Sequence, residues 1–395
     1  MAKTLSREFR LVAACCAWPP SPWRDGAIHE AAARSIDWPL LGRIAGRQRV
    51  QGLVHAALVR SGVAAPSAVA EALAFRAREI AAASLAQAAE SVRLQAALDR
   101  AGIANLVLKG AAVEMLAYGE LGKKAAWDID LLVAPGEVMA ALRILAEAGY
   151  DLAYPRGLTS AEFAIFVSLT HECELRHAKL GLNVELHWGL ADHPALLRGM
   201  SVASPTQWVT LSGGLRLRTF AADALFAYLC VHGAMHGWSR LKWLADLSAI
   251  LASESPPAVE ALYRRAVALG GGLCPAQALL LGVRLLGVTI GPTLEAELSR
   301  DRGVRSLVAM AIGAMTGGGA RELDARPFAS ARVLLAQVAL GGTWRSGWAQ
   351  IRHRAVSLED RVRFPLPKQL RFLYGVVRAP LWLCRRLGVL GRRVL

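Results

Sequence analysis

Residues 127–133 of this 395-residue chain read Trp-Asp-Ile-Asp-Leu-Leu-Val, and this segment decides the fold. It predicts a β-strand, whose side chains alternate between two faces, so that Asp128 and Asp130 share one face while the apolar residues face a core. Two carboxylates a few ångströms apart repel each other unless a cation lies between them, and Mg²⁺ prefers oxygen ligands of this kind. Taken alone, this pattern is more typical of a solvated strand start with two surface acids, and the surrounding motifs are what favour a metal site.

A short strand followed by a helix is predicted upstream of this segment. Residues 105–108 form a short apolar run that ends in Lys109 and Gly110 and passes directly into a helical pattern at 111–118. Glycine lets a backbone approach a ligand closely, and a helix N-terminus presents free N–H groups to a phosphate. We therefore interpret Lys109 and Gly110 as a candidate phosphate-binding loop.

A third carboxylate lies downstream. Glu185 belongs to a predicted strand that follows a turn at Gly181. A glycine loop, two aspartates separated by one residue and a later acid on a neighbouring strand form the set of residues typical of metal-dependent nucleotidyl transfer. His171, Glu172 and His187 either supplement this acidic site or form a polar strand end, and both interpretations stay open.

Lysines cluster around the proposed phosphate loop. Lys109, Lys123 and Lys124 are three of only seven lysines in the chain and lie within sixteen residues of one another. A lysine is a compact point charge suited to phosphate oxygens. For Lys109 we favour a role in phosphate binding rather than in folding; for Lys123 and Lys124 a solvated turn is an equally good interpretation.

A second polar cluster lies in the predicted helical part of the chain. Its members are His232, His236, Trp238, Arg240, Lys242 and Asp246. His232 and His236 are four residues apart and share a helix face, but no metallohydrolase glutamate or cysteine pair accompanies them, so zinc is not favoured. Core or interface histidines and contact with a nucleotide or acceptor remain the alternatives.

Four segments together resemble the uncharacterised bacterial nucleotidyltransferase family of the polymerase-β-like superfamily. They are residues 108–112 (Leu-Lys-Gly-Ala-Ala), 128–133 (Asp-Ile-Asp-Leu-Leu-Val), 185–188 (Glu-Leu-His-Trp) and 232–246 (His-Gly-Ala-Met-His-Gly-Trp-Ser-Arg-Leu-Lys-Trp-Leu-Ala-Asp). The similarity runs from about residue 36 to about residue 378. As a set these motifs are specific, whereas the Asp-x-Asp pattern alone is not.

This resemblance implies which residues carry the chemistry. Asp128 and Asp130 would hold one or two Mg²⁺ ions, and Glu185 would be the third acid. The superfamily loop usually reads Gly-Ser, whereas this chain has Gly110 and Ala111 and therefore no hydroxyl at that place. The third acid is Glu rather than Asp, which lengthens its reach by one methylene.

The whole chain is expected to have an α+β fold. We predict a helical region at 1–102, including one long helix over 67–100, a small mixed-sheet nucleotidyltransferase core at 103–220, and a second helical region at 221–395. The arginine-rich segment 367–395 is predicted to be a helical arm, and packing on the helical region is favoured over weak attachment to an anionic membrane surface.

Composition excludes several classes of protein. Hydrophobic residues make up 54% and charged residues 19%, which rules out general disorder. The most apolar stretches, 275–288 and 304–319, are too short for the roughly 18–20 uncharged residues of a membrane span. The net charge of +15 comes mainly from arginine, and no block of five or six basic residues occurs, so nucleic-acid binding is not the favoured role.

The cysteines and the N-terminus indicate a reduced compartment, and we expect a cytoplasmic protein. The six cysteines are scattered apart from one adjacent pair and are expected to be buried thiols: Cys15, Cys16, Cys173, Cys230, Cys274 and Cys384. The apolar run at 11–18 is short and lacks a small-residue cleavage site, so an amphipathic helix is favoured over a signal peptide.

The sequence therefore predicts a metal-dependent nucleotidyltransferase. An NTP, with ATP as the expected donor, would transfer its nucleotidyl group to an acceptor such as a peptide, protein, sugar or other small molecule, and pyrophosphate would leave. The expected nucleotide-binding residues are Lys109, Gly110, Lys123, Lys124, His236 and Arg240. Two rival hypotheses are a non-catalytic nucleotide- or partner-binding module on the same fold and a basic protein that binds RNA ends.

Overall fold

A five-stranded mixed sheet lies at the centre of the protein in the computed structural model, which describes residues 5–125, 127–317, 329–354, 356, 361 and 366–374. In space the strands run β1-β2-β5-β4-β3. Their bounds are β1 Asn105–Val107, β2 Asp128–Val133, β3 Asp151–Tyr154, β4 Glu172–His177 and β5 Leu182–His187. Only β2 and β5 pair in parallel, and the other neighbours are antiparallel. The α+β fold predicted from the sequence is confirmed.

Strand β2 is buried on both faces. Leu131 and its same-face neighbours Ile129 and Val133 pack in a core with the helix α7, Val138–Glu147, as the alternation predicts. Leu132 faces the other way, into a second core built largely from helices. Asp130 is on this second face and is only 2% exposed, so the carboxylate enters a helix-covered environment.

Five helices precede the sheet. They are α1 Arg7–Cys15, α2 Pro22–Ala32, α3 Trp38–Gln48, α4 Gln51–Ser61 and α5 Ser67–Arg100. The long helix predicted at 67–100 is confirmed in α5. Between α3 and α4, Arg49 adopts a left-handed backbone with φ 58°, which ends α3 and breaks the helical pattern.

Within the described residues, three helices lie in the sheet region and eight follow it. They are α6 Ala111–Tyr118, α7, α8 Ser160–Leu169, α9 Ala222–Met235, α10 Leu241–Ile250, α11 Pro256–Ala268, α12 Cys274–Leu286, α13 Pro292–Arg300, α14 Arg302–Thr316, α15 Ala329–Ala339 and α16 Trp344–Arg354. A two-stranded hairpin, β6 Thr206–Thr210 and β7 Arg216–Phe220, connects the sheet to α9. The predicted helical character after residue 221 is confirmed in the described part of the chain.

One buried glutamine joins three parts of the molecule. Gln48, at the end of α3, is fully buried, and its Oε1 accepts a hydrogen bond from the backbone N–H of Leu241 at 2.6 Å. Its Nε2 donates to the carbonyl of Met315 in α14 at 2.8 Å. This amide therefore fixes the start of α10 against helices from both ends of the chain.

None of the helices in the described ranges is long and apolar enough to cross a membrane. Cys15, Cys16, Cys173, Cys230 and Cys274 are free and buried, as predicted. Cys384 and most of the proposed arm at 367–395 lie outside the described residues.

Candidate active site

Strand register brings two of the predicted metal-binding acids together. In the parallel β2–β5 ladder Asp130 is the partner of Glu185, and Asp128 is the partner of Asn183. Oxygen atoms of Asp130 and Glu185 and a ring nitrogen of His187 lie within 4.8 Å of one another. Asp128 lies two residues before Asp130 and lines the same cavity. The three acids therefore line one cavity, although Glu185 is far from the two aspartates in sequence.

Two cationic side chains already contact this carboxylate pair. Lys109 Nζ lies 2.7 Å from Asp130 Oδ1 and 3.8 Å from Glu185 Oε2. His187 Nε2 lies 3.2 Å from Asp130 Oδ1 and 3.6 Å from Glu185 Oε2, while its Nδ1 lies 3.1 Å from Glu172 Oε2. Lys109 reaches Asp130 because β1 is antiparallel to β2 and the N–H of Leu108 donates to the carbonyl of Asp130 at 3.0 Å.

These contacts shift the proton affinities of the cluster. Burial alone would raise the pKa of Asp130, but Lys109 and His187 lower that pKa below its usual range. Burial and the like charge of Asp130 raise the pKa of Glu185, despite its contact with His187. Burial opposes a charge on His187, yet its carboxylate partners raise its pKa to about 10. At neutral pH the cluster is thus charge-compensated by protons and by Lys109, and metal ligands must give up protons when they bind a cation.

The predicted phosphate loop has a backbone conformation that requires glycine at position 110. Gly110 has φ 64° and ψ −129°, a conformation that L side chains rarely adopt, and it immediately precedes α6. No side chain caps the first turn of α6, and Gly110 lines the cavity. The first N–H groups of this helix are therefore free for a ligand.

One cavity of about 630 Å³ contains the acids, the loop and the second polar cluster. Its walls come from all three regions of the chain. One side is basic, and we use the name basic side for Arg47, Arg49, Lys124, Ser239, Arg240 and Lys242. The cavity is also lined by His171, Glu172, Asp192, Gln337 and Arg354, the last two from α15 and α16. An aromatic wall of Tyr228, His232, His236 and Trp243 completes it.

The histidines of the second cluster contact each other at a tilt, and one of them stacks on a tryptophan. The ring centroids of His232 and His236 are 4.5 Å apart, and His236 stacks on Trp243 at 5.1 Å with an interplanar angle of 27°. In the described part of the chain, no third ligand-type side chain completes a metal site with these two histidines. Both histidines instead line the cavity.

Nearly all of the residues predicted to bind nucleotide line this cavity. Lys124 is buried there and pairs with Asp246, which also accepts a hydrogen bond from Tyr118 Oη at 3.0 Å. Arg240 lines the cavity and donates to the carbonyl of Arg47 at 2.7 Å. Lys123 does not line it.

Lys123 instead pairs with Glu120 at 2.8 Å on the turn after α6. This contact matches the solvated-turn interpretation that the sequence left open for Lys123, whereas its neighbour Lys124 points inward. The side chains of these two adjacent residues thus point in different directions, and a periodic sequence pattern does not predict side-chain direction in an irregular loop.

Several wall residues were not predicted from the sequence. Arg47 and Arg49 come from the end of α3, Asp192 from the loop after β5, and Gln337 and Arg354 from distant helices. Each belongs to a segment without a recognisable motif. Only the three-dimensional packing of these helices against the sheet identifies them.

A glycine in α9 sets the position of the turn that carries His236 and Arg240. A Cβ added at Gly233 would lie 2.6 Å from Cζ2 of Trp238 and closer still to two other ring atoms, and Trp238 is fully buried. We expect Gly233→Ala to lower the free energy of unfolding by about 1–3 kcal/mol, because such overpacking forces side chains or backbone to shift. Urea unfolding measures this directly.

The matched control for this substitution is Gly26→Ala in α2, where an added Cβ meets no atom within 4 Å. There we expect no loss, or a gain of roughly 0.5–1 kcal/mol from the lower backbone entropy of alanine. Equal stability changes at the two positions would contradict the assigned role of the Gly233–Trp238 contact.

Comparison with known proteins identifies the family of this chain. A family described as "Uncharacterised nucleotidyltransferase" matches residues 34–287, well over half of the chain. The match includes Lys109, Asp128, Asp130 and Glu185, and it ends before α15 and α16, which contribute to the cavity wall. No curated protein matches the chain significantly.

Proposed function

The chain belongs to this uncharacterised nucleotidyltransferase family, and we propose that it transfers a nucleotidyl group, with ATP as donor, to an oxygen of an acceptor and releases pyrophosphate. The observation that carries the proposal is the β2–β5 register, which sets Asp130 beside Glu185 in a cavity that Asp128 also lines. Both acids lie on strands in the centre of a sheet, so their separation is fixed by the ladder.

The donor set at this place fits a divalent cation. Two carboxylates with ligand atoms within 4.8 Å, a third carboxylate on the same cavity and the imidazole of His187 match the ligands of Mg²⁺ or Mn²⁺. Asp128, Asp130 and Glu185 would hold one or two such ions. When bound, the ions would neutralise phosphate charge and favour displacement at the α-phosphorus.

The chain's own groups would handle the phosphates and the acceptor proton. Gly110 and the free N–H groups at the start of α6 would bind phosphate oxygens, and Lys109, which lines the same cavity directly before this loop, would add a positive charge beside them. Glu185 either completes the metal site or takes the acceptor proton at Oε2. In the second role, His187 connects it to Glu172, whose side chain is 36% exposed. His187 in this scheme is a positioning residue between two carboxylates.

The test is a search for the modified acceptor. Purified protein is incubated with each labelled NTP and cell lysate, with and without Mg²⁺, followed by mass analysis of labelled products. We expect a metal-dependent mass increase of one nucleotidyl group on a defined acceptor, and no product with Asp130→Asn. Failure of all four NTPs to support any metal-dependent labelling would count against transfer.

A second candidate is a non-catalytic binding module on the same fold, and one observation favours it. Lys109 already neutralises Asp130 within the chain, which is the arrangement that a site without metal would need. Calorimetric titration with each NTP separates the two candidates. Binding that is independent of Mg²⁺ and occurs without turnover supports the module, whereas Mg²⁺-dependent binding with turnover supports the enzyme.

A further inference from the structure

Lys242 is a buried lysine that lacks an acidic partner. It is 8% exposed and lines the cavity at the first turn of α10. Its Nζ donates to the carbonyl of Ala125 at 3.3 Å, and within the described ranges no carboxylate lies within ion-pair distance of it. A buried ammonium is costly unless an anion accompanies it, so this position calls for a negatively charged ligand.

The surroundings of Lys242 add positive charge rather than neutralise it. Arg49 lies over the ring of Trp127 at 4.9 Å and has no ion pair with any residue that the structure describes. Lys124 is compensated by Asp246. The N-terminus of the ten-residue helix α10 adds its dipole, because Lys242 is its second residue.

The proton affinity of Lys242 reflects this environment. Burial, followed by the charges of Lys124 and Arg49, lowers the pKa of Lys242 to about 7, whereas Asp128 opposes the shift and Lys109 adds to it. A lysine that is only partly charged at neutral pH gains a proton when an anion binds beside it.

We infer that the basic side of the cavity binds a phosphate group, with Lys242 and Arg49 as its principal cations. A point-charge ammonium beside a guanidinium fork matches a compact, multiply charged oxyanion. This inference rests on the proposed function and identifies the part of the cavity that binds phosphate. The phosphate belongs either to the triphosphate of the donor or to a phosphorylated acceptor.

The probe is inorganic tripolyphosphate, which contains the anion without a nucleoside. Isothermal titration without metal, in two buffers of different ionisation enthalpy, should show binding with uptake of a proton near pH 7.5. Lys242→Met should weaken this binding by about tenfold or more and abolish the proton uptake. Lys179→Met, on the exposed β4–β5 turn, removes one lysine elsewhere and should change neither. Equal affinity in Lys242→Met and wild type would overturn the inference.

Thermal unfolding gives an independent readout. The folded-state pKa of Lys242 is below its unfolded value, so this lysine costs stability progressively as the pH falls from about 10.5 to about 7, and fully below that. Lys242→Met should therefore raise the Tm, more at pH 6 than at pH 10. A merely structural lysine would lower the Tm when replaced, and that result would contradict the anion site.

Competition identifies the source of the phosphate. If NTP displaces tripolyphosphate and loses affinity in Lys242→Met to the same extent, the basic side holds the donor. If NTP and tripolyphosphate bind together, it holds a phosphate of the acceptor. None of these measurements needs turnover, so a failure of nucleotidyl transfer would leave them interpretable and would be recognised separately.

Discussion

Asp130→Asn is expected to abolish nucleotidyl transfer, with a loss of about 10³-fold or more, while the chain still folds. Asparagine keeps the shape of the side chain but removes the charge, and metal-assisted charge stabilisation contributes several kcal/mol to such transition states. The carboxylate is only 2% exposed and lies closer to Lys109 and to His187 than the carboxylate of Glu185 does. Its replacement therefore removes the negative charge that both cations contact most closely.

The measurement is the rate of label transfer from NTP, with circular dichroism as the check on folding. Asp151→Asn is the matched control, because Asp151 is an exposed aspartate on β3 of the same sheet and does not line the cavity. Glu185→Gln should reduce transfer with a smaller effect on the binding of the first metal. Full activity in Asp130→Asn would exclude the mechanism.

Lys109→Met is expected to destabilise the metal-free protein by about 3–5 kcal/mol, because it leaves Asp130 buried without its closest counter-charge. The structure therefore adds a role in folding to a lysine that the sequence analysis assigned to phosphate alone. Mg²⁺ should restore much of the loss, since a ligand that binds only the folded state stabilises it. In the wild type, where Lys109 already compensates Asp130, the same concentration of Mg²⁺ should have a smaller effect.

Urea unfolding with and without millimolar Mg²⁺ tests this expectation. Lys123→Met is the matched comparison, since Lys123 pairs with the exposed Glu120 and its loss should cost about 0–1 kcal/mol. Lys109→Arg, which keeps the charge, should retain most of the stability. An unfolding free energy for Lys109→Met equal to that of the wild type would show that Lys109 does not neutralise Asp130.

Local patterns predicted the parts of the site that lie on regular elements. The alternation of 128–133 placed Asp128 and Asp130 on one face, and the glycine after a short strand predicted the start of α6 at Ala111. Both signals depend only on the period of a strand and on the conformational freedom of glycine. They operate within a few residues and do not require knowledge of the rest of the fold.

The pairing of strands and the packing of helices could not be predicted in this way. Nothing local indicates that β2 pairs in parallel with β5, yet this register sets Asp130 beside Glu185. The β6–β7 hairpin was missed although Gly213 and Gly214, both with φ 77°, form its turn, because its two five-residue strands carry few apolar residues. The basic side depends on helices whose faces meet only in the folded chain.

The contacts of Gln48 determine whether the site can be separated from the N-terminal helices by truncation. Both ends of its amide are used, one on the first N–H of α10 and the other on the carbonyl of Met315. A truncated chain beginning at residue 103 would keep every carboxylate of the site but would leave these two buried polar groups without a partner. The sheet is therefore not expected to form a complete site on its own. Any grafted, truncated or recombined version must include the first hundred residues, because they stabilise the position of α10, the helix that contains Lys242.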